Sequence, residues 1–204
     1  GTLQAITNSL TWDFGFRTAF ASNDPATLFD AALNVLDRSI GSADMLMIVG
    51  MDNKVVIDTQ LQGFVDLSGS WLSLIEEADA SEDGLAEAIV AIEGAPFQLI
   101  ALPLYLPRQV AWIIGGFALD QNFVNTVKDT IVSEVSIIRR SNEKDLEVVA
   151  STLSALKQQV LAEQIAINTI AVDRLQRISL EGEEFTTLTR SLLESSSGGS
   201  QVLA

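Results

Sequence analysis

The hydrophobic pattern centres on residues 97–119, FQLIALPLYLPRQVAWIIGGFAL, two apolar runs of strand length separated by Pro107-Arg108-Gln109. The second run, 110–119, is apolar at consecutive positions and rich in Val, Ile, Trp and Phe. This is the pattern of a central strand covered on both faces. A membrane-spanning helix needs about 20 uninterrupted apolar residues, and here two prolines, Arg108 and two glutamines interrupt the stretch.

Upstream, Leu3, Ile6, Leu10, Phe14, Phe16 and Phe20 recur at near-helical spacing and predict one helix over 3–21. Asp24-Pro25 then predicts a helix start, because a carboxylate accepts from free backbone N–H groups and proline is tolerated at the first helical position. The second helix carries Leu28, Ala31, Ala32, Val35 and Leu36 on one face and ends near Gly41. Two β-rich runs follow, around a hairpin turn at Asp52-Asn53, residues that tolerate left-handed backbone. Residues 59–70 have little period and predict a loop, 71–78 a short helix with Ser70 as its cap, and 88–93 a strand. Helical spacing returns at 120–129. Strands are then expected at 132–139 and 146–152, a helix at 154–165, and strands at 175–180 and 184–192.

This second series repeats the first. Ile92-Glu-Gly-Ala-Pro-Phe97 and Leu180-Glu-Gly-Glu-Glu-Phe185 share the pattern [Ile/Leu]-Glu-Gly-x-x-Phe-x-x-[Ile/Leu]-x-x-x-Leu, and the hairpins upstream recur at a similar offset. Gly94 and Gly182 are expected to form tight turns, with Phe97 and Phe185 in matching cores. On this reading 201–204 begin the counterpart of the 110–119 strand, so the second copy is expected to be incomplete at its C-terminus and the native protein to continue.

Composition removes whole classes of chemistry. With no Cys there are no disulfides, zinc–thiolate sites or cysteine nucleophiles; with no His, the usual proton carrier near neutral pH and the commonest metal ligand are missing. A net charge of −15 leaves little with which to neutralise phosphates, which argues against nucleic acid and against anionic membrane surfaces. Ser154-Ala-Leu-Lys157 matches Ser-x-x-Lys, in which a lysine one turn away activates a serine nucleophile, but Ser-Asp-Asn and Lys-Thr-Gly partners are missing. A capping serine and a surface lysine are the simpler reading. Glu76-Glu77 and Glu82-Asp83 suit solvated acidic faces better than paired acid and base. Residues 52–58 lack the glycine and spaced ligands of a calcium loop. No metal, cofactor or catalytic residue is therefore expected, and the chain is not expected to be an enzyme. Arg17, set among Phe14, Phe16 and Phe20, suits pairing with a carboxylate better than anion binding.

Several segments resemble, in order, the double Cache-type extracytoplasmic sensor regions of bacterial membrane proteins that carry GGDEF or EAL output domains. These are Asp13-Phe14-Gly15-Phe16-Arg17 with Ala21-Ser22-Asn23-Asp24, Ala43-Asp44 leading into the Met45 strand, Gly94-x-Pro-Phe-Gln98, Pro103, Pro107, Ala111-Trp112, Gly116-Phe117 and Ala150-Ser151-Thr152-Leu153. The resemblance implies an α+β fold in which a long N-terminal helix (1–24) precedes two PAS-like modules with antiparallel sheets. The first would be membrane-distal (25–129) and the second, truncated, membrane-proximal (130–204). It also implies a periplasmic location, membrane attachment only through flanking segments, and transmission of a small-molecule signal to cyclic-di-GMP enzymes. The Tyr-x-Arg-Trp-Tyr run of the amino-acid-binding subclass is missing, and Tyr105 is the one tyrosine.

In the first module Trp71, Phe97, Tyr105 and Trp112 are candidates to wall an apolar ligand cavity, with Arg108 and Asp58 orienting the ligand; the alternative is that the aromatics are core and the charges solvated. Leu3, Ile6 and Leu10 are left over for a homodimer through the N-terminal helix. A ligand-free dimerisation or protein-interaction domain is the competing reading.

Overall fold

The computed structural model describes residues 14–22, 24–38, 43–59, 70–92, 94–140, 146–167, 170–171, 173–192 and 201–203. The described residues form two compact units. One holds everything up to Ile92 together with Phe97–Ala118; the other holds Gly94–Pro96 and the residues from Leu119 onward.

The first unit opens with helices α1 (Phe14–Ser22) and α2 (Pro25–Arg38), followed by strands β1 (Met45–Gly50) and β2 (Val55–Asp58). Helix α3 (Ser70–Ala80) leads to β3 (Ala86–Ile92), β4 (Ala95–Tyr105) and β5 (Gln109–Ala118). The expected helix over 3–21 is seen from Phe14 onward; its earlier residues lie outside those described, as does the expected loop after Gln60. The α2 start is as its local chemistry predicts: the Asp24 carboxylate accepts from the Thr27 N–H at 3.2 Å, and Pro25 is the first helical residue. The β1–β2 turn places Asn53 at φ 60°, and its N–H donates to the Gly50 carbonyl at 2.9 Å.

The five strands form one sheet in the order β2-β1-β5-β4-β3, and β5 pairs antiparallel with both β1 and β4. Alternation along the strands divides the core into two layers. Met45, Met47, Val49, Leu99, Trp112 and Ile114 face Trp71, Leu74, Ile75 and Ala78 of α3. Leu46, Ile48, Leu104, Ala111 and Ile113 face Phe16 and Ala19 of α1 and Leu28 and Ala32 of α2. Residues 111–116 of β5 are all buried, as expected for a strand covered on both sides. Fully burying side chains of this size contributes about 2 kcal/mol each, so these two layers dominate the unit's stability.

The second unit repeats this plan. Helix α4 (Gln121–Thr130) enters it, capped by the Asp120 carboxylate, which accepts from the Phe123 N–H at 3.0 Å. Strands β6 (Ser136–Arg140) and β7 (Leu146–Ser151), helix α5 (Ala155–Ala166), then β8 (Leu175–Leu180), β9 (Glu183–Leu188) and β10 (Gln201–Leu203) follow. They make a three-stranded sheet, β10-β6-β7, and a separate hairpin, β8-β9. Strand β10 pairs antiparallel with β6, as β5 does with β1. Ile138, Leu161, Ile165, Ile170, Ile178 and Leu180 form the core, with Phe185 packed against it. Phe97 packs against the α3-side core of the first unit, so both phenylalanines stand as the repeat predicts.

Two details of backbone geometry recur. The β1–β2 pairing slips between Ile48 and Val49, and the β6–β7 pairing slips between Ile137 and Ile138. The Thr59 hydroxyl accepts from the Leu46 N–H at 2.9 Å, and the Thr152 hydroxyl accepts from the Val135 N–H at 2.9 Å. A bulge is a positioned feature of a sheet, so its presence at corresponding sites supports a common plan.

Some expectations need correction. The strand expected over 132–139 begins only at Ser136, because α4 closes with the Ile131 N–H donating to the Val127 carbonyl and the chain then turns outward with Val132 fully exposed. The strand expected over 184–192 runs regularly only to Leu188. Ser70 is the first residue of α3 rather than its cap.

Two glycines are required for different reasons. A Cβ on Gly116 would stand 2.4 Å from Met45 side-chain atoms, whereas one on Gly182 would meet nothing, though φ there is +83°. Gly116→Val is expected to destabilise by about 2–3 kcal/mol through overpacking, partly relieved by Met45→Ala. Gly182→Ala is expected to cost about 1 kcal/mol through backbone strain with no rescue from any neighbour. Urea unfolding of the four variants checks both.

Candidate functional site

The six candidate residues fall into two groups in the first unit. Trp71, Trp112 and Phe97 all lie on the α3 side of the sheet, the two tryptophans buried in one apolar cluster and Phe97 packed against it, opposite Ala118 where Trp112 is opposite Pro103. Trp71 is there because α3 places it one turn before Leu74 and Ile75, on the face that meets the sheet. Tyr105 and Arg108 are instead exposed at the β4–β5 turn, where Pro107 and Arg108 interrupt the strands and the Leu106 N–H donates to the Arg108 carbonyl at 2.7 Å. Asp58 ends β2, half-buried and engaged. The three aromatics thus share one core layer, while Tyr105 and Arg108 lie outside it. Arg17 lies on the exposed face of α1.

The second unit carries a cavity of about 760 Å³ that sequence reasoning did not anticipate. Ile138, Leu161, Ile165, Ile178, Leu180 and Phe185 form its apolar floor. Its sides are residues of the segment entering β6 and of β9, among them Glu134, Ser136, Thr186 and Thr187. No local pattern encodes it, since its walls come from segments about fifty residues apart.

At its rim Lys128 holds both Glu134 carboxylate oxygens, at 2.5 and 2.6 Å, and the Thr152 hydroxyl donates to the same carboxylate at 2.5 Å. The bonds from Lys128 and Thr152 hold the Glu134 carboxyl below its ordinary value. Lys128 ends α4, Glu134 precedes β6 and Thr152 follows β7, so one ionised group ties three elements together.

Ser154 and Lys157 do not form a nucleophile and base. Lys157 is paired with Glu183 at 2.7 Å and lies 5.3 Å over the Phe185 ring, so its ammonium is engaged away from Ser154. Nor is it a surface lysine: its side chain is 19% exposed. Ser154 occupies the cap position of α5, yet its hydroxyl makes no capping bond. Among the described residues no group of three or more acidic side chains is placed to hold a metal, and no helix is long and apolar enough to cross a membrane.

No family model matches this chain, and no curated protein matches it. Among solved structures, two of the Vibrio cholerae LuxQ periplasmic domain are similar over 99% of this chain. They have TM-scores of 0.59 and 0.58, identities of 17% and 16%, and 88% and 89% of their own chains covered. The ligand-binding domain of Mlp24 with asparagine aligns over 98% of this chain and 79% of its own, at 15% identity and a TM-score of 0.42. The likeness to LuxQ is one of fold. The class is therefore a mixed α and β fold with antiparallel sheets, like that periplasmic domain.

Because the Glu134 carboxyl is held below its ordinary value, its contribution to stability is complete above the unfolded-state pKa of about 4.5 and is lost as pH falls through the folded value. Glu134→Gln is expected to lower the unfolding midpoint at pH 7. The difference from the unsubstituted protein should shrink progressively below about pH 4.5, as thermal denaturation across pH would record.

Proposed function

We propose that this chain is the extracytoplasmic sensor region of a bacterial inner-membrane receptor, built from two PAS-like modules and binding a small molecule in the first. The observation that carries this reading is the repeated plan: a strand pair with a bulge at a corresponding site, an inserted helix, then strands joined by a glycine turn. The likeness to a periplasmic domain across 99% of the chain supports it. So do the ordered segments, from Asp13-Phe14 to Ala150-Ser151, that resemble double Cache-type regions.

In this reading the ligand lies on the Trp71 and Trp112 side of that layer, with Arg108 and Tyr105 closing over it from the β4–β5 turn and Asp58 from the end of β2, while Phe97 lines the same layer further along the β4–β5 ladder. A ligand that favours one arrangement shifts the population toward it, and the shift passes along the N-terminal helix to output domains that make or degrade cyclic-di-GMP. Two copies pair through that helix. Phe14, an aromatic 81% exposed on α1, is a reason to place the pairing there. The chain itself carries no enzymatic step.

A small molecule co-purifying with the protein and identified by mass spectrometry is the expected finding, and adding it back at 100 times Kd should stabilise by about 2.7 kcal/mol. Arg108→Ala, at an exposed position, should weaken that binding about tenfold with the apo unfolding midpoint unchanged. A broad metabolite screen without any thermal shift would replace this reading with a ligand-free interaction domain. Phe14→Asp is expected to convert dimer to monomer in sedimentation. A dimer that survives it excludes α1 from the interface.

A further inference from the structure

The second-unit cavity has the outline of a strand. In the first unit β5 runs between β1 and β4, pairing Ile48 with Ile113, Met47 with Ile114 and Leu99 with Gly116. The bulge and the threonine bond set the correspondence between units: Ile137 and Ile138 of β6 stand where Ile48 and Val49 stand in β1. The glycine turns and phenylalanines set Phe185 of β9 against Phe97 of β4. Strand β10 then begins the path that β5 takes, with Leu203 opposite Ile138 where Trp112 is opposite Val49. The rest of that path runs beside Ile137, Ser136 and Val135 on one side and 185–189 on the other. Ser136 and Val135, and all of 185–189, border the cavity.

Both walls present backbone for pairing. Among the described residues β9 pairs only with β8. The two-residue turn at Glu181-Gly182 makes Leu180 and Glu183 a bonded pair, so Phe185 and Thr187 also face β8 and the N–H groups of Glu184, Thr186 and Leu188 point the other way. An open edge of this kind recruits another strand. The floor fixes the chemistry of the occupant. In the first unit Trp112 and Ile114 of β5 complete the core beneath α3. An occupant of this slot stands in the same way over Leu161 and Ile165 of α5, so it is apolar at alternate positions.

We infer that the cavity is a strand-acceptor site that takes an extended apolar peptide of about six residues, laid antiparallel between β6 and β9 in line with β10, rather than a compact metabolite. Its seating completes a five-stranded order like that of the first unit and couples the occupant to β6 along its length. The inference is independent of where the small molecule binds in the first unit.

The test adds a fluorescent peptide copying Ala111–Ala118, with lysines at both ends for solubility, to the full 204-residue chain. Anisotropy should show saturable binding. Amide exchange followed by NMR should slow about tenfold or more at Glu184, Thr186, Leu188 and Ser136, with Phe185, Thr187 and Ile137, which already face β8 and β7, unchanged. Methylating alternate peptide nitrogens should abolish binding. Thr186→Pro, which removes an outward N–H without touching the β8 ladder, should weaken binding about tenfold, and the N-methylated peptides keep the test decisive if that variant unfolds. Absence of binding at millimolar peptide would overturn the proposal. So would binding indifferent to N-methylation, equal binding of a scrambled sequence, or a small metabolite that alone protects these amides. A metabolite that acts at Trp71 and Trp112 leaves these amides untouched, which separates the two questions.

Discussion

Strand β5 has to be buried on both faces and hydrogen-bonded on both edges at once. Trp112 and Ile114 project to one side and Ala111 and Ile113 to the other, while β1 and β4 take up the backbone. No arrangement of strands alone covers such a segment. It requires α3 on one face and α1 with α2 on the other, which places those helices in the first unit. The N-terminal boundary of the sheet is secured by the same strand: the Asp44 N–H donates to the Gly116 carbonyl at 2.8 Å, and the Asp44 carboxylate accepts from the Ala118 N–H at 2.7 Å. Close approach of Met45 then explains why glycine stands at 116.

The second unit meets the same constraint with different means. Its β10 covers three residues of β6, and the β8–β9 hairpin stands as a separate two-stranded sheet. Contacts other than a continuous ladder therefore hold the hairpin against α5. The Lys157–Glu183 pair is partly solvated, its glutamate 65% exposed, and a pair of that kind contributes about 0.5 kcal/mol. Burial of Ile178 and Leu180, with Phe185 packed beside them, contributes about 2 kcal/mol per fully buried side chain. The apolar contacts decide where the hairpin sits, and the ion pair with the ring beneath it fixes the orientation.

Local chemistry made much of this legible. Asp24-Pro25, Asp52-Asn53 and the glycines of the two Glu-Gly pairs each act within a few residues, and each appears where the sequence places it. The period of 110–119 revealed a central strand because burial on both faces leaves no polar alternation to confuse. Errors arose where composition was apolar but geometry was not regular. Ile131 and Val132 resemble strand residues, yet they follow a helix end and face solvent. Serine proved a weak guide to caps: Ser154 makes no capping bond, whereas Asp120 does. Of the candidate residues, the burial of Trp71, Phe97 and Trp112 in one core layer was legible because large aromatics at inward positions pack into the core. The exposure of Tyr105 and Arg108 follows from a turn whose direction the sequence leaves open.

The repeat carries more information in the structure than in its residues. The matching sequence pattern is degenerate, since apolar positions interspersed with Glu-Gly arise easily. A bulge between Ile48 and Val49 matched by one between Ile137 and Ile138 is harder to obtain twice, and so is a threonine after the second strand whose hydroxyl accepts from an N–H near the start of the first. The bulge is set by backbone register rather than side-chain type, so side chains are free to diverge around it: Met45, buried to 1% exposure, corresponds to Glu134, which instead joins Lys128 and Thr152 at a cavity rim. Preserved register with exchanged chemistry is what allows one backbone plan to carry a buried Met45 in one unit and a Lys128-paired Glu134 in the other.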